Sequence, residues 1–375
     1  MQAIAGWLGT GRVIDTERPD GPRLLTGATG FLGVFLLEAL QGAESTPVWC
    51  VVRCRSEAEG RARLLERARF FGATIDASRV EIIPGDVSEP RLGLSESWRR
   101  AILREVKHVY HSAAQVDFLR GYPSLKAANV MSVVELGRLT LDAPGMHLHF
   151  VSSRNVLDLV GGGIEERMRQ PWHDRLNDGY AQSKWVAEQV VVALHERGVP
   201  CAIYRPSRIV AARRSRGVNV DEFFNRALRA SARLGLEPGY SGVDNMVPVD
   251  HVARAIVALS QMDACLGGAF HVQHPRETSL SLVLDRLRHR LALEGRTIDT
   301  SGPREWIAAI EGDDPAHQPL FALLPLLRVD ASDAPAAPPA PVPSGKTDEL
   351  LRSLGIECPA IDEAHVDRLI ALALT

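Results

Sequence analysis

Tyr180-Ala181-Gln182-Ser183-Lys184 sets a phenol and an ammonium four residues apart. On a helix that spacing puts both on one face. A free tyrosine ionises at about pH 10, and a neighbouring cation favours its phenolate. The pair therefore predicts a proton donor or acceptor for a substrate oxygen, with the tyrosine pKa drawn down towards neutrality. Lys184 is one of only four lysines among 43 basic residues, which suggests a task that a guanidinium cannot do. A third polar group belongs beside the reacting oxygen. Ser153, in Val151-Ser152-Ser153-Arg154-Asn155-Val156, is the candidate and Ser152 the alternative.

A second cluster is built on glycine. Thr26-Gly27-Ala28-Thr29-Gly30-Phe31-Leu32-Gly33 follows a short apolar run and opens an amphipathic stretch, the setting in which such a fingerprint predicts a dinucleotide site. Gly27 would permit the tight turn, Gly30 would let the backbone approach a pyrophosphate, and Gly33 would let helix and sheet pack closely. Thr26, Thr29, Phe31 and Leu32 complete the expected cradle, where unpaired N–H groups at a helix start face the phosphates. Arg53 stands twenty residues past Gly33, where an NAD site would place a carboxylate for the ribose 2′-hydroxyl. An arginine there suits a 2′-phosphate, so NADPH is the expected cofactor. Asp86, in Gly85-Asp86-Val87, is placed to accept from the adenine amine, unless it is a simple turn aspartate.

These residues need a frame. Residues 23 to about 210 alternate short apolar runs with helical patterns, which predicts a parallel sheet with crossover helices. The runs are Leu24–Thr26, Val48–Val52, Val80–Ile83, Val109–His111, Leu148–Ser152 and Ala202–Tyr204. Helices are expected over Phe31–Leu40, closed by Gly42, and over Ala58–Phe71, Trp98–Val106, Lys126–Leu139 and Tyr180–Arg197. Runs apolar on both faces belong to a buried sheet. After Pro206 the rhythm changes to loop and helix over 211–245, a helix over Val247–Leu259 and a strand at Ala269–Val272. From about 275 only helices are expected: Ser279–Leu293, Arg304–Glu311, Leu320–Leu327 and Asp362–Leu374. Ala331–Gly345 holds five prolines and reads as an exposed polyproline-like connector. The expected architecture is α/β: a Rossmann-type doubly wound parallel sheet over 1–210, rejoined by 246–275. Residues 211–245 and 276–375, with the Pro-rich loop 331–345, would form a smaller, mainly helical subdomain for substrate and partner.

Composition narrows the function. With 45% hydrophobic and 24% charged residues and a net charge of −3, the chain is ordinary globular protein and not a coat for nucleic acid. No apolar run reaches the ~18 residues of a membrane span. The opening MQAIAGWLGTGRVID has no basic segment and too short an apolar one for a secretory signal. Cys50, Cys54, Cys201, Cys265 and Cys358 are odd in number and lack paired metal spacing, which suits a reduced cytoplasm and predicts no metal. A monomer is expected.

In order along the chain, TGxxGxxG from Thr26, Asp86, His111-Ser112-Ala113-Ala114, Ser153 and YxxxK from Tyr180 resemble the extended short-chain dehydrogenase/reductase family. LLTGATGFLGVFLLEAL, VYHSAAQVDFLRGYPSLKAANV, GYAQSKWVAE, IYRPSRI and NMVPVDHVARAIVALS narrow this. They resemble the thioester reductase domains that terminate nonribosomal peptide synthetases and carboxylic acid reductases. The likeness runs from about residue 20 to 275, and more loosely through LRSLGIECP.

The resemblance implies NADPH bound across Gly27, Gly30, Gly33, Arg53, Asp86 and Val87, with Ser112, Ala113 and Ala114 also against it. The implied substrate is an acyl or peptidyl thioester on the phosphopantetheine arm of a carrier protein. Hydride transfer to the thioester carbonyl would be followed by collapse of a hemithioacetal to aldehyde and thiol, and a second round could reach the alcohol. Tyr180 and Ser153 would hold the oxyanion, and Lys184 would bond the nicotinamide ribose and tune Tyr180. Asn129 would support the lysine through a water. The family more often has Ser-Thr where this chain has Ser152-Ser153, which keeps the hydroxyl. Tyr180 counts against the redox-independent cyclisation of some relatives. Rival readings are another extended reductase, such as a nucleotide-sugar epimerase or dehydratase, and a non-catalytic NADP-sensing regulator. Arg53 weighs against the first and the Tyr180–Lys184 pair against the second. Arg213, Arg214 and Arg216 are either a solvated arginine run or an attractor for the acidic carrier or the pantetheine phosphate, and 157–178 with 218–245 are expected to wall the acyl pocket.

Overall fold

The computed structural model describes residues 2–8, 18–160, 164–240, 242–330 and 342–375. Its strands are β1 (Arg23–Thr26), β2 (Val48–Val52), β3 (Val80–Pro84), β4 (His108–His111), β5 (His147–Val151), β6 (Cys201–Tyr204), β7 (Arg208–Val210), β8 (Leu236–Glu237), β9 (Val243–Asp244), β10 (Met246–Pro248), β11 (Ala269–Phe270), β12 (Thr278–Ser279) and β13 (Asp299–Thr300). Its α-helices are α1 (Gln2–Leu8), α2 (Phe31–Ala43), α3 (Glu57–Phe71), α4 (Glu96–Glu105), α5 (Tyr122–Lys126), α6 (Ser132–Asp142), α7 (Gly179–His195), α8 (Phe223–Leu234), α9 (Val249–Ser260), α10 (Leu280–Leu293), α11 (Pro303–Gly312), α12 (Leu324–Asp330), α13 (Gly345–Ser353) and α14 (Glu363–Leu374).

Seven strands form one parallel sheet in the order β11-β6-β5-β4-β1-β2-β3. The chain winds outwards from β1 to β3, then returns to place β4 on the other side of β1. Strand order reverses there, and open α/β sheets bind ligands in the crevice at such a point. Every residue of β1, β2, β4, β5 and β6 is buried, because helices cover both faces. On one face α2 and α9 pack Phe35, Leu36, Val252 and Ile256 against Leu25 and Cys50. On the other, α6 and α7 set Val133, Val190 and Val191 against Leu24, Val109 and Leu148. Two further clusters, one of α8, α10 and α14 and one of α11 and α12 with Ala230, build the C-terminal region. Among the described residues no helix is long and apolar enough to cross a membrane.

The structure departs from the sequence expectations in several places. Helix α2 runs through Gly42 to Ala43, since an achiral residue tolerates a helical φ as readily as it ends one. The expected Lys126–Leu139 helix is two helices joined by a π-helical turn, Ala127–Met131. The helix expected from Val247 begins at Val249, after β10 has paired with β7. Beyond residue 275 the chain also forms β12 and β13, each two residues long, and α13 over Gly345–Ser353.

Of the expected connector 331–345, residues 331–341 lie outside the described residues, and the remainder, with Pro343 and Gly345 exposed, is tied down by hydrogen bonds. The Val342 carbonyl accepts from Gln273, and the Pro343 carbonyl accepts from His271 Nδ1 at 2.6 Å. Glu166 takes the N–H groups of Lys346 and Thr347 at 2.9 and 3.2 Å. Backbone carbonyls and a borrowed carboxylate, not apolar bulk, hold this stretch, and composition does not register them.

One ion pair is wholly enclosed. The guanidinium of Arg205, just past β6, meets Glu188 of α7 through two hydrogen bonds of 2.8 Å, with both side chains fully buried. It also donates to the carbonyls of Arg167 and Met168 at 3.0 and 2.9 Å. Breaking a buried pair from one side costs about 3–5 kcal/mol, because a charge is left unmatched. Arg205→Met is therefore expected to lower urea-unfolding stability by that amount. The Arg205→Met, Glu188→Met double variant should recover more than half of the loss; equal losses would contradict the pairing.

Candidate active site

The site assembles around the bend after β1. Gly27 has φ +78°, and a Cβ there would stand 2.6 Å from the Ala113 nitrogen and 2.8 Å from the Ser112 carbonyl carbon. The loops after β1 and β4 thus touch at a point only glycine can occupy. A Cβ on Gly33 would lie 1.9 Å from the Gly27 carbonyl oxygen, so the helix sits tight on its own loop. Gly30 begins α2 with no side-chain cap, leaving the first N–H groups, with half-buried Phe31 and Leu32 behind them, to face an anion. The Thr29 carbonyl accepts from Arg67 of α3 at 3.3 Å.

Thr26 anchors this floor. Its hydroxyl accepts from the Ala113 N–H at 3.3 Å and lies 2.7 Å from His111 Nδ1. Ser132 donates to the Ala128 carbonyl at 2.6 Å and sits 3.0 Å from His111 Nε2. The Ser132 oxygen therefore accepts from Nε2–H, and Nδ1 accepts from Thr26. Burial and then the Lys184 charge push His111 down to about 3, so this neutral tautomer persists at working pH.

At the rim, Arg53 is largely exposed, 3.9 Å from Asp86. Asp86 accepts from the Ser88 amide and hydroxyl at 2.9 and 2.7 Å. Those bonds, with Arg53, outweigh its burial and hold the carboxyl below its ordinary range. Val87 and Ala114 are half-buried nearby in the chain. Glycine bend, uncapped helix start and exposed rim arginine fit a nicotinamide dinucleotide.

Tyr180 stands in the first turn of α7, whose N-cap is Asp178, accepting from Ala181 N–H at 2.8 Å. Its phenol faces Ser153, and its ring meets Phe118 edge-on at 5.4 Å. Ser153 also accepts from Asn155 N–H at 3.2 Å. Ser152 is buried, its hydroxyl without a hydrogen-bond partner among the described residues, so the phenol meets Ser153 and not its neighbour. Lys184 is buried beneath; Nζ donates to the Val151 carbonyl at 2.6 Å and lies 4.3 Å from the centre of the Phe150 ring.

The expected lowering of the tyrosine pKa does not occur. Burial, then the Asp178 charge, raises Tyr180 to about 12 against the Ser153 hydrogen bond. Burial also lowers Lys184 to about 7, opposed by Glu188. The low-dielectric surroundings outweigh the lowering effect of Ser153 and keep the tyrosine a neutral acid.

A family model described as Male sterility protein, an NAD-binding domain, matches residues 25–256, well over half of the chain. The chain belongs to this family. A component of the linear gramicidin synthase of Brevibacillus parabrevis is 34% identical over 348 residues, 91% of this chain and 7% of that protein. Isonitrile lipopeptide synthase of Streptomyces coeruleorubidus is 32% identical over 363 residues, 94% of this chain and 24% of that one. The chain thus spans under a quarter of the length of these curated relatives. The crystal structure of the terminal R domain from the myxalamid PKS-NRPS biosynthetic pathway superimposes with a TM-score of 0.86 at 29% identity, covering 99% of this chain and 96% of that one. Family and fold together make the chain an NAD(P)H-dependent oxidoreductase.

Within this family frame the structure brings Ser153, Tyr180 and Lys184 to one wall of the crevice and the β1 loop to another. Asn129 has direct partners of its own beside Lys184. Lying in the π-helical turn, it accepts from Gln115 N–H at 2.7 Å and donates to the Gln115 carbonyl at 3.0 Å and to the Ser183 hydroxyl at 2.9 Å. It ties the loop after β4 to α7, and the π turn re-aims it there. Arg213 has a structural partner. It makes two hydrogen bonds of 2.9 Å to Asp362, the N-cap of α14, and Arg368 holds the carbonyls of Arg213 and Ser215. That arginine fastens the C-terminal helix. Arg214 lines a cavity of about 610 Å³ between α2 and α9.

Of the wall expected over 157–178, residues 161–163 lie outside the described residues. Trp172 there is half exposed and packs edge-on against Trp185 at 5.1 Å. Phe118, Gln115, Arg67 and the Glu188–Arg205 pair escaped the sequence reading. Only Glu188, one helical turn beyond Lys184, carried a local spacing signal.

Lys184 yields a stability test. Its folded pKa of about 7 lies below the ordinary 10.5, so between those values the unfolded chain binds the proton and the folded chain does not. The site's contribution to stability is flat below about pH 7 and rises as pH climbs towards 10.5. Compared by urea unfolding at about pH 6.5 and about pH 9, wild type should gain on the order of 2–3 kcal/mol relative to Lys184→Met. No difference in slope would mean the ammonium is not desolvated.

Proposed function

We propose that this chain is an NADPH-dependent reductase that takes an acyl or peptidyl thioester from the phosphopantetheine arm of a carrier protein to the aldehyde, releasing the carrier thiol. The observation that carries this reading is the buried Tyr180 phenol, facing Ser153 at the crevice of a dinucleotide fold. The likeness to a terminal R domain along nearly its whole length supports a thioester as substrate. Exposed Val116 and Leu119, flanking Phe118 in the loop after β4, offer apolar surface for an acyl chain.

Bound cofactor supplies the hydride. The chain's own residues handle oxygen and proton. Tyr180, kept protonated by burial, donates to the carbonyl oxygen as negative charge develops there. The Ser153 hydroxyl gives that oxygen a second donor. Donors aimed in advance at an oxyanion are each worth about 3–4 kcal/mol, a factor of 10²–10³ in rate. Lys184, one helical turn from Tyr180 and lowered by burial to about 7, gains a proton more readily once negative charge develops on the phenol. Arg53, reaching free of the β2 end, would grip the 2′-phosphate with Arg67 close to the loop, which favours NADPH over NADH.

Two experiments decide this. With an acyl-pantetheine thioester, the chain should oxidise NADPH in step with release of free thiol. Tyr180→Phe should keep its NADPH affinity and lose about 10²–10³ in turnover; a full rate would remove the phenol from the mechanism. Arg53→Ser should raise the KM for NADPH about 10–100-fold, as expected for a lost charge-assisted bond, and leave that for NADH unchanged. Equal effects on both cofactors would exclude a 2′-phosphate contact.

A further inference from the structure

Three imidazoles gather at the end of the sheet remote from the crevice. His108 opens β4 and His147 opens β5, paired in register, with His149 two residues on. Side chains alternate along a strand, so all three share one face. One ring nitrogen from each lies within 4.8 Å of the others. His108 Nδ1 is 3.1 Å from His149 Nε2, and the His108 and His147 rings meet edge-on at 4.7 Å. All three are buried.

We propose that His108, His147 and His149 form a binding site for one borderline divalent transition ion, of the zinc, cobalt or nickel class. The donor set is all imidazole nitrogen, which suits these ions and not magnesium or calcium. Neighbouring nitrogens around a tetrahedral ion with bonds of about 2.0–2.1 Å are about 3.3 Å apart, close to the observed His108–His149 separation. A small rotation of the His108 ring turns their direct contact into two bonds to a shared ion. The far nitrogen of His149 is 3.1 Å from the Tyr204 hydroxyl, an outer partner that fixes the ring with its other nitrogen towards the cluster.

The local cations are already matched. Arg23 pairs with Glu44 and Asp20, and Lys107 reaches Asp20 at 3.4 Å. His108 and His147 each keep 8% exposure, enough for a water to complete the shell. The ion would tie β4 to β5. From His147 to Val151, whose carbonyl holds Lys184, is four strand steps or roughly 13 Å, so the ion takes no part in hydride transfer, and the proposal does not rest on the proposed reaction.

The test uses the full chain, stripped of metal and free of any tag. Titration with Co(II), followed by its visible absorption, should show one tight equivalent per chain and a raised unfolding temperature. His147→Gln and His108→Gln should each weaken that binding at least tenfold, and exposed His289→Gln should not. Thioester-dependent NADPH oxidation should persist in all three. Absence of a tight equivalent, or undiminished binding in the His108 and His147 variants, would overturn the site. Should those variants fail to fold, X-ray absorption of cobalt-loaded wild type decides: three imidazole nitrogens on the ion support the site, and fewer overturn it.

Discussion

The enclosed pair of Glu188 with Arg205 is the constraint on which the geometry of the catalytic helix rests. A carboxylate and a guanidinium with no exposure survive only if they meet squarely, and here two parallel bonds and two further carbonyls saturate the arginine. Helix α7 cannot turn or slide without opening that contact. Tyr180, Lys184 and Glu188 rise at four-residue intervals along it, so fixing the last fixes the other two. The same arginine lies 3.3 Å from His271, which binds the Pro343 carbonyl. The segment leading into α13 is thereby joined to the helix that carries the reacting phenol.

A low dielectric does the rest. In water the tyrosine and lysine would differ little in pKa; burial drives them apart in opposite senses, the phenol up and the ammonium down, because each loses its charged form's hydration. A reductase needs an acid at the carbonyl oxygen, and a desolvated phenol is one at every physiological pH. The neighbouring His111, also held neutral, passes hydrogen bonds between Thr26 and Ser132 without adding charge to the crevice. The site's polarity is thus concentrated in few groups, each with its donors and acceptors already assigned.

The two ends of the sheet differ accordingly. At the carboxyl ends, glycine leaves backbone exposed for a ligand, and close approach between the β1 and β4 loops excludes side chains. At the amino ends, three imidazoles and the Arg23–Glu44 pair, with the Tyr204 hydroxyl reaching back to His149, fill space that most buried sheets give to aliphatic residues. Buried polar groups are costly unless matched, and here His149 meets both His108 and Tyr204 while Arg23 meets Glu44.

The chain's own order of residues determined the strands, the glycine bend and the phenol–amine pair, because each shows in the pattern of residues close in sequence. Alternating apolar runs made six strands legible to within a residue or two, and the four-residue step from Tyr180 to Lys184 needs only a helix to have meaning. Distance in sequence hid the rest. Phe118 against Tyr180, Asn129 between Gln115 and Ser183, and His108 beside His149 are encounters across 14 to 62 residues. No local spacing encodes them. The chemical state of the site was hidden too: adjacency predicted a lowered tyrosine pKa, whereas tertiary burial, which only the packed helices and sheet create, reversed its direction.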